Sequence, residues 1–239
     1  MKNIQITVLF ALSILAFSAC SPQYYIPNTQ NVPAIGAKGE TRINIAGNGN
    51  QLELQGAVGV SGQLAVQLNG GYVFPQNEDN GNGGSGKMLE AGIGYYNNLN
   101  ESLLFDVYAL GGIGHMENHF PSTVSANPST TGKISAGLAR WGLQPGLTFH
   151  TKYFSVSGSA RLLSLHYSNI DGSLIFDNED QVKYLQDHRS GFLIEPALTL
   201  RGGLEKIKLQ LQLMKSLNLS DSNFRQDDSL LSLGLHFKL

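Results

Sequence analysis

His166 and Ser168, two positions apart in the string HYSN, are the side chains best suited to chemistry. An imidazole can take the proton of a serine hydroxyl and make it a nucleophile, provided that a carboxylate orients the ring. In an extended strand, residues two apart share a face, so we expect these two side chains to be neighbours. The candidate carboxylates fit poorly, because Glu195 has the opposite parity on the next predicted strand and Glu179 lies in a predicted loop.

Two further motifs give weaker indications of a binding site. Residues 81–88, GNGGSGKM, approach a phosphate-binding loop, but the segment ends in methionine where a hydroxyl side chain would hold Mg²⁺, and no helix is predicted to follow. We interpret it as a flexible hairpin tip. His115 and His119 have the spacing of two metal ligands on a helix, but Gly114 and Pro121 oppose a helix there. We therefore expect a solvated loop, and neither a metal nor a cofactor.

The N-terminus has the pattern of an export signal. Residues 6–17 are almost wholly apolar, which suits a secretory signal and is too short for a membrane-spanning helix of about 20 residues. Ser18 and Ala19 precede the single cysteine, Cys20. This string resembles the lipobox of bacterial lipoproteins, although Phe17 replaces the usual leucine. The resemblance implies a signal peptide at residues 1–19, cleavage before Cys20 and acyl chains such as palmitate on it. The alternative is an ordinary signal peptide with an incidental cysteine.

We predict that residues 20–37 form a lipidated tether. Between positions 21 and 37 the chain has three prolines, no charge and no helical or strand periodicity. We expect this tether and both ends of the following domain to lie on the periplasmic side.

The amino-acid composition excludes several classes of protein. Charged residues make up 14% of the 239, against about 25% in soluble domains. A net charge of −2 excludes a general nucleic-acid binder, because no basic excess exists to neutralise phosphates. A single cysteine excludes a disulfide framework and a multi-cysteine zinc site.

Residues 38–239 alternate with a period of two in ten runs, mostly close to the length of about 9–11 residues with which a tilted strand crosses a bilayer. The connections between runs also alternate between short and long, a pattern that is typical of outer-membrane barrels. The first connection is an exception, because it is short where a long one is expected. We predict an all-β, antiparallel, up-and-down transmembrane β-barrel of about ten strands, with eight or twelve as alternatives. The runs lie at 39–46, 51–60, 63–74, 88–96, 103–114, 137–149, 154–166, 191–201, 207–216 and 229–239.

One parity of each run is apolar, and the other collects glycine, glutamine and nearly all strand charges. We expect the apolar parity to face lipid and the charges to pair inside a closed lumen. Two alternatives remain: a narrow channel lined by the same charges, and a soluble lipocalin-like barrel with its apolar face inside. The predicted lumen charges are Glu40, Arg42, Glu53, Glu90, Asp106, Arg140, Arg161, Glu195, Arg201, Lys208 and Lys238.

Residues 38–239 thus resemble small bacterial outer-membrane β-barrel proteins. The stretch PNTQNVPAIGAKGE at 27–40 is similar to the entry into the first strand of uncharacterised Bacteroidota barrel lipoproteins, which imply no activity. The string at His166 resembles the His-x-Ser-Asn segment of outer-membrane lipid A deacylases. That resemblance implies a base at His166 and a nucleophile at Ser168.

The function we expect from these patterns is non-enzymatic: an outer-membrane lipoprotein with a structural or binding role. Its expected partners are outer-membrane lipid and a protein or glycan bound through the long loops 115–136 and 167–190; no nucleic acid is expected. The alternatives are a lipid-face acyl hydrolase using His166 and Ser168, a narrow channel, and a soluble lipocalin-like lipoprotein.

Overall fold

A computed structural model describes residues 21–75, 82–120 and 130–239 of the chain. The predicted signal peptide and Cys20 lie outside this part. In chain order the strands are β1 (Thr41–Gly47), β2 (Gln51–Gly59), β3 (Leu64–Val73), β4 (Gly83–Asn98), β5 (Leu103–Phe120), β6 (Gly132–His150), β7 (Phe154–Gly172), β8 (Ile175–Phe176), β9 (Glu179–Asp180), β10 (Ser190–Gly203), β11 (Ile207–Lys215), β12 (Leu217–Asn218) and β13 (Ser229–Lys238).

Ten of these strands close into an antiparallel barrel, which confirms the predicted fold class. Strands β1 to β7, β10, β11 and β13 pair in succession, and β13 also pairs with β1, so the barrel has no free edge. Closure satisfies every strand's backbone through its two neighbours, as a sheet surrounded by hydrocarbon requires.

The register places the apolar parity outside. Ile45 lies opposite Leu54 on β2 and Leu235 on β13, and all three side chains are exposed. On the inner face, Arg161 and Glu195 are 0% exposed. The soluble lipocalin-like alternative is therefore wrong, because it requires the apolar parity to be inside.

Strands β4 to β7 extend five or six residues beyond the apolar runs at the long-loop end. The predicted loops 115–136 and 167–190 are correspondingly shorter, because backbone pairing continues where lipid no longer demands an apolar face. Two motifs assigned to loops therefore lie in strands, since residues 83–88 belong to β4 and His115 and His119 to β5. Four positions of a strand span about 13 Å, which is too far for these histidines to share a metal.

The described residues contain a single short helix, Gln181–Asp187, between β9 and β10. Asp180 caps it, because its side chain accepts hydrogen bonds from the backbone N–H groups of Val182 and Lys183. Among the described residues, no helix is long and apolar enough to cross a membrane.

Candidate functional site

Residues 21–37, interpreted above as a tether, instead run through the barrel, and we call them the plug. At the long-loop end, the backbone N–H of Tyr24 donates to the carbonyl of Arg225, at 2.9 Å. At the short-turn end, the Gly36 carbonyl accepts a 2.8 Å hydrogen bond from Asn98, the last residue of β4. The plug therefore crosses the lumen from end to end, and its first residues lie at the opposite end from the one expected.

Side chains of the barrel wall supply the hydrogen bonds that this non-periodic backbone needs. The N–H of Thr29 donates to Glu53 at 2.8 Å, and the N–H of Gln30 donates to the side-chain oxygen of Gln212 at 2.7 Å. The amide of Gln212 donates back to the Gln30 carbonyl at 3.0 Å, as a paired strand would. Gln55 likewise donates to the Thr29 carbonyl at 2.7 Å. The lumen glutamines thus replace a neighbouring strand for the plug.

Two ion pairs lie at the centre of the lumen. Arg140 contacts Glu90 at 2.7 Å, and Arg161 contacts Glu195 at 2.9 Å. All four side chains are buried. Burying such charges is costly, and hydrogen bonds to their remaining donors and acceptors reduce that cost.

The plug supplies several of these hydrogen bonds and joins the two pairs, while Nε of Arg161 has no hydrogen-bond partner among the described residues. The Asn28 side-chain oxygen accepts from Nη2 of Arg140 at 2.6 Å and from Nη1 of Arg161 at 3.0 Å. The Tyr25 hydroxyl accepts from Nη1 of Arg140 at 3.0 Å and donates to Glu195 at 2.9 Å. Both plug residues therefore bridge charges that belong to different strands.

Two predicted lumen acids have no basic partner within 4 Å among the described residues, so the expected complete pairing does not occur. Glu53 accepts instead from the Thr29 N–H and from Asn28, at 2.8 and 3.4 Å, because the plug brings these donors to it. Asp106 lies against Gly146, where an added Cβ would meet its Oδ1 at 2.5 Å. This close approach explains the glycine at that position.

The remaining predicted charges lie near the short-turn end. Glu40 contacts Arg42 at 2.7 Å and Lys238 at 2.9 Å. Arg201 and Lys208 have no carboxylate within 4 Å in the described part of the chain. The predicted network is thus two separate groups, one central and one at the short-turn end, with the plug passing through both.

Aromatic residues close the long-loop end of the lumen. The Tyr24 hydroxyl donates to Gln181 on the helix at 2.7 Å, while its ring lies 5.7 Å from that of Tyr184. Burial raises the pKa of the Tyr24 hydroxyl. Inward-facing Leu163 and Leu165 pack in the same buried cluster, so the polar parity turns apolar here. The consecutive tyrosines at 24 and 25, unusual in a solvated tether, are the sequence signal that could have indicated burial.

His166 and Ser168 lie on the outer face of β7, as their parity predicts. Nδ1 of His166 is hydrogen-bonded to Oγ of Ser190 on β10, at 2.8 Å, and Ser168 lies opposite Gly137 on β6. Within the described residues, no carboxylate is hydrogen-bonded to His166. The structure therefore does not bring together the three groups that a nucleophilic serine requires.

No group of three histidine, cysteine or acidic side chains in residues 21–75, 82–120 and 130–239 is arranged to hold a metal ion.

Comparison with known proteins yields fold neighbours alone. No protein-family profile matches the chain, and no curated sequence relative is found. Among solved structures, a major outer membrane protein from Thermus thermophilus is similar at 12% identity, with a TM-score of 0.41 over 84% of this chain and 99% of the other. LpxR from Salmonella typhimurium is similar at 9% identity, with a TM-score of 0.37 over the same shares of the two chains. At these scores the likeness indicates nothing about activity.

The closed sheet and its apolar exterior decide the architecture by themselves. The chain has an outer-membrane-type β-barrel fold. Exposed aromatic side chains occupy both ends of the outer face, with Trp141 and Phe192 towards the long loops and Phe149 and Phe154 towards the short turns. This distribution corresponds to the aromatic girdles of membrane barrels.

Proposed function

We propose that the protein is a lipid-anchored outer-membrane barrel that its own N-terminal segment keeps closed, and that it has a structural or binding role rather than an enzymatic one. The observation that carries this proposal is the passage of the plug through the whole lumen. A channel needs a continuous water path. Asn28 and Tyr25 occupy the centre of that path and are held there by two buried ion pairs.

The same passage suggests on which side of the membrane a lipid anchor would lie. Barrels of this class keep their short turns in the periplasm and their long loops outside. Ser21 is two residues before Gln23, whose backbone carbonyl accepts a hydrogen bond from Asn118 near the long-loop end of β5. We therefore propose that an acylated Cys20 would anchor the chain at the outer surface. We propose that binding to a protein or glycan also occurs at this end, where the plug's first residues meet the long connections.

The enzymatic alternative has less support. An outward-facing histidine and serine are present, but His166 is engaged with Ser190 and has no orienting acid among the described residues. No reaction is therefore proposed.

Conductance in planar lipid bilayers tests the closed barrel. We expect the purified full chain to insert without current steps. A variant with glycine at Asn28, Thr29 and Gln30 loses the side-chain contacts of the central plug and keeps its backbone hydrogen bonds, and it should show intermittent steps. Glycine at Ser222 and Asn223, exposed in the loop before β13, is the matched control and should remain silent. Steady open-channel current from the unmodified protein would contradict the proposal.

A further inference from the structure

Around the last residues of the plug, the barrel opens at the short-turn side into a cavity of about 800 Å³, which Ala34, Gly36 and Ala37 help to line. We call this cavity the vestibule. The side chains that matter to its chemistry are Arg42, His150, Arg201, Lys208, His236 and Lys238. They come from β1, β6, β10, β11 and β13, so the vestibule exists only because the barrel closes. Its volume lies within the range of about 300–1,000 Å³ that is usual for small-molecule sites.

The vestibule is electropositive. Six lysines and arginines line it, against three glutamates. Two of these glutamates are already paired: Glu40 with Arg42 and Lys238, and Glu205 with Lys152 at 3.4 Å. The cations without a carboxylate within 4 Å in the described part of the chain are Arg201, Lys206 and Lys208.

Two side chains at the inner end of the vestibule are buried, and each has a polar atom without a partner. Arg42 is 9% exposed and His236 is 6% exposed, yet Nη1 of Arg42 and Nδ1 of His236 have no hydrogen-bond partner among the described residues. Nδ1 of a neutral imidazole donates or accepts according to its tautomer, whereas Nη1 of a guanidinium group always donates. Buried polar groups are nearly always hydrogen-bonded, so Nη1 of Arg42 is a donor that lacks an acceptor at this end of the cavity.

Two arginines that line the vestibule also donate hydrogen bonds to the plug. Arg201 donates to the Val32 carbonyl at 2.7 Å, and Arg42 donates to the Ala34 carbonyl at 3.3 Å. Nε of Arg201 also donates to Gln210, at 2.8 Å. These contacts hold both guanidinium groups in place at the end of the plug. Fixed guanidinium forks beside flexible lysines are a combination that recognises phosphate and carboxylate oxygens.

We propose that the vestibule binds a small molecule carrying phosphate or carboxylate groups, which enters from the short-turn side. Arg42, Arg201 and Lys208 provide the donors. Glu40 does not repel such an anion strongly, because two cations flank it. The proposal does not depend on whether the lumen conducts or whether Cys20 is acylated.

Isothermal titration of the full chain in detergent tests this site, with pyrophosphate and citrate as probes and trehalose as the uncharged control. We expect saturable binding of at least one anion and none of trehalose. Binding of pyrophosphate alone would assign a phosphate site, and binding of citrate alone a carboxylate site. Saturable binding of neither anion, or equal binding of trehalose, would overturn the proposal.

Matched charge variants locate the binding. Lys208→Gln removes a vestibule cation. Within the described residues, the Lys208 ammonium group donates one hydrogen bond, to the Thr151 carbonyl at 3.3 Å. Lys183→Gln makes the same change on the helix at the long-loop end. We expect Lys208→Gln to weaken anion binding about tenfold, the effect of losing a charged hydrogen bond, and Lys183→Gln to leave it unchanged. Equal affinities for both variants and the unmodified chain would place the anion elsewhere and refute the site.

Discussion

The side-chain oxygen of Asn28 lies 2.6 Å from Nη2 of Arg140, although 112 positions separate the two residues in the chain. A residue of the plug thus completes the hydrogen bonding of an ion pair in the barrel wall. The plug is therefore part of the folded core. Its loss would affect the stability of the wall as well as the closure of the lumen.

Asn28→Ala tests this coupling. It removes the acceptor that Arg140 and Arg161 share, and leaves buried cationic donors unsatisfied. We expect the free energy of unfolding to fall by about 1–3 kcal/mol. Urea titration, followed by the change in gel mobility of the folded barrel, measures the effect. Asn223→Ala, at an exposed position, should leave the midpoint unchanged. Equal midpoints for the two variants would contradict a structural role of the plug.

The buried pair Arg161–Glu195 should show strong coupling in a double-mutant cycle. Arg161→Met or Glu195→Gln alone leaves an uncompensated buried charge, at a cost of about 3–5 kcal/mol. The double variant should lose clearly less than the sum of the two. The exposed pair Lys152–Glu205 is the control and should show coupling of about 1 kcal/mol or less. Additive losses at the buried pair would count against its role.

A disulfide can report the position of the plug. The hydroxyl oxygens of Thr29 and Ser232 lie 3.1 Å apart, so the sulfur atoms of cysteines at these two positions should be close enough to form a disulfide bond. In a Cys20→Ser background, we expect Thr29→Cys with Ser232→Cys to oxidise spontaneously and to change mobility on a non-reducing gel. Thr29→Cys with Ser157→Cys, on a different part of the wall, should remain reduced. The reverse pattern would show that the plug takes another path.

Cysteine labelling in intact cells tests the orientation. Ser222→Cys lies at the long-loop end, and Gly62→Cys lies at a short turn where an added Cβ meets nothing within 4 Å. A membrane-impermeant maleimide should label the first in intact cells and the second after permeabilisation. The unmodified chain should not be labelled if the Cys20 thiol carries lipid. Labelling of Gly62→Cys in intact cells would reverse the proposed orientation.

Ser168→Ala should leave the acylation pattern of lipid A unchanged in cells that express the protein. The reason is that His166 is hydrogen-bonded to Ser190 and no acid orients it in the described structure. Mass spectrometry of extracted lipid A provides the measurement, with His166→Ala as the second variant. A shift to a more acylated lipid in both variants would restore the hydrolase interpretation.

The sequence by itself determined that the chain forms a barrel and which parity faces outward, and it predicted about ten strands, with eight or twelve as alternatives. Alternation with a period of two is a local property, and in this chain it extends over most of residues 38–239. Each strand therefore carries its own indication of which side meets lipid. Beyond the apolar belt the chain no longer alternates between apolar and polar residues. The sequence pattern therefore did not predict that strands β4 to β7 continue there.

Only the tertiary structure decided the place of residues 21–37. That segment has no periodicity, and its partners lie on strands up to 203 positions away, as Thr29 and Ser232 show. From its local sequence alone, an uncharged, proline-containing stretch is predicted to be a solvated linker. It becomes a plug because the glutamine, arginine and glutamate side chains inside the closed barrel have further donors and acceptors, whose burial without partners would be costly. The vestibule likewise depends on closure, since its cations come from strands far apart in the chain.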